Sequence, residues 1–200
     1  MKSTLENLIR DVHDDVNRWR RHIHANPDLS FQEKPTADFI ARELAALPEL
    51  VLSRPVENSV IAVLQGEKPG PMWALRADID ALPLQEESGE TFSSTKAGIM
   101  HACGHDGHMA MVLELGRRIR TKQVLPHNIL LLFQPAEEPT GGARRLCETE
   151  VLERLRVKAV FALHLWPGLS AGMIAGLPGA MMARSAEVTF TAEGRCAHFC

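Results

Sequence analysis

The sequence lacks any block of a single charge sign. Its 22 lysines and arginines are balanced by 25 aspartates and glutamates, which gives a net charge of -3. Aromatic residues make up only 5% of the chain, and they do not alternate with basic residues. A protein that binds nucleic acid usually carries such a basic track. We therefore expect no nucleic-acid partner.

Long hydrophobic runs are also missing. No apolar segment approaches the length needed to cross a membrane. Residues 1–11 carry a charge every few positions, so they lack the apolar centre of a secretory signal peptide. We expect a cytoplasmic protein with no membrane partner. A hydrophobic content of 45% over 200 residues is enough for one domain, or for one domain and part of another.

Cysteine is scarce, and its spacing is not that of a disulfide framework. The four cysteines are Cys103, Cys147, Cys196 and Cys200. One of them lies in a segment rich in histidine, which suits a metal site better than a cross-link. We expect the thiols to be reduced.

Apolar residues recur at intervals of three and four in some segments and form short continuous runs in others. The first pattern predicts amphipathic helices, and the second predicts buried strands. The predicted helices cover residues 5–25, 35–47, 108–121 and 142–155, and the predicted strands cover 59–64, 72–77, 128–133 and 157–163. This alternation predicts an α/β fold in which a mostly parallel sheet is covered by helices on both faces.

The pattern changes near the end of the sequence. Pro178 and Gly179 interrupt it, and residues 187–192 alternate like a half-exposed strand of a new sheet. We therefore predict one domain over residues 1–182 and the start of a second, α+β domain over residues 183–200.

Residues 100–108 read Met-His-Ala-Cys-Gly-His-Asp-Gly-His and predict a metal site. Thiolate and imidazole are ligands that suit zinc, manganese, cobalt or nickel. Gly104 and Gly107 loosen the backbone, so Cys103 and His105 can turn towards one point. The alternative is a polar turn with a buried cysteine and solvated histidines.

Further polar residues follow three of the predicted strands. In an open parallel sheet, binding groups gather in the loops beyond the carboxyl ends of the strands. We therefore expect one edge of the sheet to bring together Asp78, Cys103, His105, Glu137, Glu138 and His164. Taken singly, the carboxylates could be turn, capping or solvated groups, and the histidine could be a hydrogen-bonded core residue.

Adjacent glutamates have a chemical use beside a metal site. One carboxylate can coordinate a cation while its uncoordinated neighbour accepts a proton from water. A divalent cation lowers the pKa of bound water to about 7, so the neighbour can complete the activation at neutral pH. The expected reaction is hydrolysis of a polarised carbonyl.

Five segments together resemble the M20 metallopeptidase family in its amidohydrolase branch. They are residues 19–33, 75–83, 101–108, 133–138 and 162–165. That branch contains hippurate hydrolases, hydrolases of auxin–amino acid conjugates and N-acetyldiaminopimelate deacetylases. The resemblance implies a zinc-peptidase-like catalytic domain, an inserted lid and dimerisation domain, and a homodimer of the full-length protein.

The same resemblance implies a role for each site residue. Cys103, His105, Glu138 and His164 would bind two divalent metal ions, with manganese preferred and zinc, cobalt or nickel possible. Glu137 would be the general base, and Asp78 would steady the site. His198, in a segment similar to the lid, would contact the substrate. The implied reaction is cleavage of the amide bond of N-acetyl, N-benzoyl or N-aryl amino acids.

The sequence departs from the family in its length. Members of the family are longer and supply one more histidine ligand, so we expect weak occupancy of one metal position and little activity from residues 1–200 alone. Two other functions stay open. One is a truncated, inactive fragment that binds metal or a partner protein. The other is a thiol hydrolase that uses Cys103 with His105 or His108, which should survive chelation and fail on alkylation.

Overall fold

The computed structural model describes residues 2–47, 50–68, 70–121, 125, 127–139, 141–181, 190–191 and 193–194. Contacts divide the chain into two compact units, residues 1–165 and residues 166–200. Among the described residues, none of the helices combines the length and the apolar character that a membrane span requires.

The first unit contains five helices and five strands in its described part. The helices are α1 (Lys2–Ala25), α2 (Lys34–Ala45), α3 (His105–Thr121), α4 (Gly142–Glu148) and α5 (Val151–Arg154). The strands are β1 (Val51–Ser53), β2 (Val60–Leu64), β3 (Met72–Asp78), β4 (Ile129–Gln134) and β5 (Val157–Ala162). They form one sheet in the order β1-β2-β4-β3-β5.

The predicted α/β fold is confirmed, and the sheet is mixed. Strands β4, β3 and β5 are parallel neighbours, whereas β2 runs antiparallel to β4 and β1 antiparallel to β2. Parallel neighbours need a long crossover, which α3 supplies between β3 and β4. The connection between β1 and β2 is too short for a crossover, so these two strands form a hairpin.

Helices cover both faces of the sheet, as the alternation predicted. On one face, α1, α2 and α3 pack on the sheet through a core that includes Trp19, Ile40, Met109, Leu131 and Phe133. On the other face, α4 and α5 pack through a smaller core that includes Ile61, Ala74, Leu132, Leu146 and Val151. The sheet is therefore a buried platform, and the loops at its ends are available for function.

Three elements differ from the prediction. Strand β1 was not predicted. The predicted helix over 142–155 is two helices, because the chain turns at Glu150, whose φ is +54°. Helix α3 begins at His105 rather than at His108, since Gly104 takes a φ of +87° and lets the chain enter the helix three residues earlier.

The second unit has no helix or strand within its described ranges, 166–181, 190–191 and 193–194. The predicted second domain over 183–200 falls mostly outside those ranges, so it stays a prediction. His198 also lies outside the described residues.

Candidate metal centre

The site lies at the carboxyl ends of the three parallel strands. The pairing of Asp78 with Gln134, and of Arg76 with Ala162, aligns these ends. The loops that follow β3, β4 and β5 therefore start side by side, and the first turn of α3 meets them. This arrangement brings together every predicted site residue except His198.

His105 is the first residue of α3, and its side chain is 1% exposed. Its Nδ1–H donates a hydrogen bond to the backbone carbonyl of Asp80 at 2.8 Å. Nε2 is buried without a hydrogen-bond partner. It lies 3.5 Å from Asp78 Oδ2, 3.7 Å from Glu138 Oε1 and 3.9 Å from Glu137 Oε2. A lone pair that faces three carboxylates is repulsive unless a positive charge lies between them.

Glu137 and Glu138 are neighbours in sequence but differ in environment. The N–H of Glu138 donates to Asp80 Oδ2 at 3.0 Å, and its Oε1 is buried without a partner. The side chain of Glu137 is 40% exposed, against 25% for Glu138. Burial raises the pKa of Glu137, and the negative charges of Asp78 and Glu138 raise it further. Glu137 therefore holds a proton more readily than an ordinary glutamate.

Cys103 and His164 complete the group. Cys103 Sγ lies 3.6 Å from His164 Nε2. His164 Nδ1–H donates to the carbonyl of Leu165 at 2.7 Å, so Nε2 is the ring nitrogen that faces Cys103 Sγ. Burial raises the pKa of Cys103 to about 12, together with the charges of Glu138, Asp78 and Glu137.

Asp80 connects two of these side chains. Its backbone carbonyl orients His105, and its Oδ2 accepts both the N–H of Glu138 and the hydroxyl of Ser30, the latter at 2.7 Å. Burial raises the pKa of Asp80, but the hydrogen bonds from His105, Ser30 and the loop N–H groups lower it more, to about 2. Asp80 is thus a stable carboxylate.

Within the described part of the chain, two groups of side chains have metal-ligand spacing. In the first, ligand atoms of Cys103, His105 and Glu138 lie within 4.8 Å of one another; the second contains Asp78, His105 and His108. Both nitrogens of His108 are in use, since Nδ1–H donates to Asp78 Oδ1 at 2.7 Å and Nε2 accepts the N–H of Leu165 at 3.0 Å. His108 therefore has no lone pair left for a cation, and the first group is the better site.

The residues of that first group fit a divalent cation. Two of its atoms, His105 Nε2 and Glu138 Oε1, are buried without hydrogen-bond partners. Buried polar atoms are usually paired, and a cation between these two atoms would pair both of them. Sulfur, nitrogen and oxygen ligands together suit zinc or a similar transition metal.

The structure also shows site residues to which the sequence had assigned no role. Asp80 belongs to the same Asp-Ile-Asp segment as Asp78, but its main contribution is a backbone carbonyl, which no residue type reveals. Arg76 donates to Asp78 Oδ2 at 2.8 Å and, through Nε, to Gln134 at 2.9 Å. Asp78 thus contacts His108 and Arg76, and it lies beside His105.

Comparison with known proteins gives a consistent family. Residues 74–197 match the model of the family described as peptidase family M20/M25/M40. The chain is 45% identical to the N-acyl-L-amino acid amidohydrolase of Geobacillus stearothermophilus, over 91% of this chain and 49% of that protein. It is 38% identical to the N-acetylcysteine deacetylase of Bacillus subtilis, over 93% and 49%.

Among solved structures, the fold is similar to the YXEP protein of Bacillus subtilis, described as a dinuclear metal binding peptidase from the M20 family. The TM-score is 0.73 at 39% identity, over 80% of this chain and 45% of that chain. The chain spans about half the length of the curated relatives that it matches.

Proposed function

Because the chain belongs to peptidase family M20/M25/M40, we propose that it carries the metal-binding and proton-transfer residues of an amidohydrolase. The proposed substrates are N-acyl amino acids, with an acetyl, benzoyl or aryl group, and the bond cleaved is their amide. The names of the relatives support this class, since two of them act on N-acyl or N-acetyl amino acids by name.

One observation carries the proposal: the adjacent glutamates are placed for different tasks. Glu138 directs a buried, unpaired oxygen towards the unpaired nitrogen of His105, 3.7 Å away. Glu137 is more exposed, and its pKa is raised by burial and by neighbouring charges. A ligand and a general base need these two environments.

The proposed ligands are Cys103, His105, Glu138 and His164, and they would hold two divalent cations. Manganese is preferred on the family resemblance, and zinc, cobalt and nickel suit the same ligands. When bound, the cations would polarise the amide carbonyl and make water more acidic. The proposed role of Asp78 is to steady this group through His108 and through its charge beside His105.

Glu137 is the proposed general base. It would take a proton from the attacking water and pass it to the leaving amine. Its raised pKa suits the first step, because the carboxylate of a more acidic group is a weaker base and takes the proton from water less readily. His198 is the proposed substrate contact, in a lid domain that would begin near residue 183. We also propose that the whole protein is a cytoplasmic homodimer.

The rival function, a thiol hydrolase, fits the electrostatics less well. A nucleophilic cysteine needs a lowered pKa, supplied by nearby positive charge. Cys103 has carboxylates around it instead, and its pKa is raised to about 12. A bound cation would stabilise the thiolate as a ligand, so the surroundings favour coordination over attack.

The first experiment compares Glu137→Gln with Glu138→Gln in the same chain. Metal content and hydrolysis of N-acetyl and N-benzoyl amino acids are measured together. We expect Glu137→Gln to bind metal like the parent and to lose turnover, by 100-fold or more on the scale of about 10²–10⁴ for a general base. We expect Glu138→Gln to lose metal affinity.

Metal content is informative even if turnover by the parent is slow. Equal metal binding by the parent and Glu138→Gln would contradict the ligand assignment. Turnover that survives in Glu137→Gln would contradict its role as the base.

A further inference from the structure

Glu33 is a fully buried glutamate on the segment between helices α1 and α2. It precedes helix α2 at the capping position, but its side chain makes no capping hydrogen bond. Asp28 does that work instead, since its Oδ2 accepts the N–H of Thr36 at 3.0 Å and the hydroxyl of Thr36 at 2.7 Å. The carboxylate of Glu33 is therefore not needed to begin the helix.

The carboxylate of Glu33 reaches the loop that follows β4. Oε1 accepts the N–H of Ala136 at 2.8 Å, and Oε2 accepts a hydrogen bond from Asn58 Nδ2 at 3.0 Å. Both neighbours donate, which suits a carboxylate. Burial raises the pKa of Glu33, so keeping this carboxyl ionised in the folded chain costs free energy.

Ala136 is the residue in front of the two glutamates, and its backbone conformation needs support. It is fully buried with a φ of +49°, in the left-handed region that residues other than glycine adopt only at an energetic cost. Its carbonyl accepts the N–H of Gly142 at 3.1 Å. Its peptide groups are therefore held on both sides, by Glu33 and by Gly142.

We propose that Glu33 is a positioning residue for the metal centre: it holds the Ala136 turn so that Glu138 faces His105 and Glu137 lies beside it. The carboxylate of Asp80 accepts the N–H of Glu138, two residues further along the same loop. The two buried carboxylates thus fix alternate N–H groups of the segment that carries the reactive pair. This inference rests on the proposed function.

A role in packing alone makes a different prediction. If Glu33 only contributes to packing and stability, Glu33→Met should change the melting temperature and leave zinc affinity as it is. Glu33→Met keeps the volume and removes both acceptors. Glu33→Gln keeps an oxygen for the Ala136 N–H, and its amide can donate to Asn58 Oδ1 once the Asn58 amide turns over, since Nδ2 faces Glu33 in the parent.

The test compares Glu33→Met, Glu33→Gln and a matched control, Glu114→Met. Glu114 is a buried glutamate on α3 that pairs with Arg117 and Arg118, about 13 Å along the helix from His105. Three quantities are measured on the whole chain: zinc affinity by calorimetric titration, hydrogen exchange of the Ala136 amide, and the melting temperature.

We expect Glu33→Met to weaken zinc binding by about 10–100-fold, the usual effect of removing a group behind a ligand, and to speed exchange at Ala136. We expect Glu33→Gln to stay within a few-fold of the parent in zinc affinity and in the exchange rate of the Ala136 amide. The control should change the melting temperature without changing zinc affinity.

The inference is overturned if Glu33→Met binds zinc like the parent, or if Glu33→Gln loses as much affinity as Glu33→Met. It is also overturned if Glu114→Met, at a similar drop in melting temperature, loses as much zinc affinity as Glu33→Met. A parent chain that binds no zinc would defeat the proposed function instead. In that case the exchange of Ala136 still decides whether Glu33 holds the turn.

Discussion

At the scale of single residues, Asp80 shows how one side chain and its backbone can serve two ligands. Its carbonyl fixes which nitrogen of His105 carries the proton, and its carboxylate fixes the backbone of Glu138. The free nitrogen of His105 therefore faces the other proposed ligands. A substitution at Asp80 would leave the carbonyl in place and remove the carboxylate acceptor for the Glu138 N–H.

Asp80→Asn tests this through the pH dependence of stability. The pKa of Asp80 is about 2 in the folded chain, below its ordinary 3.8. Its ionised form therefore stabilises the fold above pH 4, by roughly 2 kcal/mol, and this contribution is lost as the pH falls towards 2. We expect the metal-free variant to be less stable by about this amount at pH 7.

Urea unfolding at pH 7, 4 and 2, with chelator present, measures the free energy of unfolding for each chain. The difference between parent and Asp80→Asn should shrink between pH 4 and pH 2. Glu57→Gln, at an exposed glutamate, should show no such trend. A difference that stays constant with pH would contradict the account.

The sequence predicted which side chains lie together at the ends of the parallel strands, because thiol, imidazole and carboxylate groups have few common reasons to cluster. It could not predict which atoms remain free. His105 is oriented by a backbone carbonyl, which leaves no trace in residue identity. His108 has the same residue type as His105, and only its two hydrogen bonds show that both of its nitrogens are occupied.

At the scale of elements, the loop after β4 matters most, since it must turn sharply to present adjacent glutamates. Its path brings Gly142 against the chain that precedes Glu137. A Cβ at Gly142 would lie 1.7 Å from the carbonyl oxygen of Pro135, which is impossible without a shift of backbone. The glycine is therefore required by close approach rather than by flexibility.

Gly142→Ala is expected to lower the free energy of unfolding by about 1–3 kcal/mol, the usual cost of overpacking, and to weaken metal binding because Glu138 moves with the loop. Gly70→Ala is the control, because nothing lies within 4 Å of an added Cβ there. Chemical denaturation and metal titration of both variants measure the two effects. Equal unfolding free energy and equal metal affinity in the two variants would contradict the prediction, because the loop would then tolerate the added methyl group.

Sequence periodicity predicted the long elements and missed the short ones. Strand β1 has three residues, too few for a periodic pattern, and it is formed by pairing with β2. The division between α4 and α5 at Glu150 is equally invisible, because apolar spacing continues across it. Tertiary pairing and local backbone angles decide such cases.

At the scale of the whole molecule, the parallel strands gather their loops at one end, so segments distant in sequence form one site. The family and the α/β fold were predictable, because the motifs are specific and the alternation of elements is regular. The mixed strand directions were not, since apolar runs carry no direction. The chain spans about half the length of its relatives, so its complete activity stays a proposal.

The central proposal is that Cys103, His105, Glu138 and His164 bind two divalent cations. The most direct measurement is a cobalt titration of the chain followed by optical absorption, because a thiolate bound to cobalt gives a charge-transfer band. We predict a band that is retained in Glu137→Gln and lost in Cys103→Ala. Absence of the band in the parent chain, or its persistence in Cys103→Ala, would contradict the account.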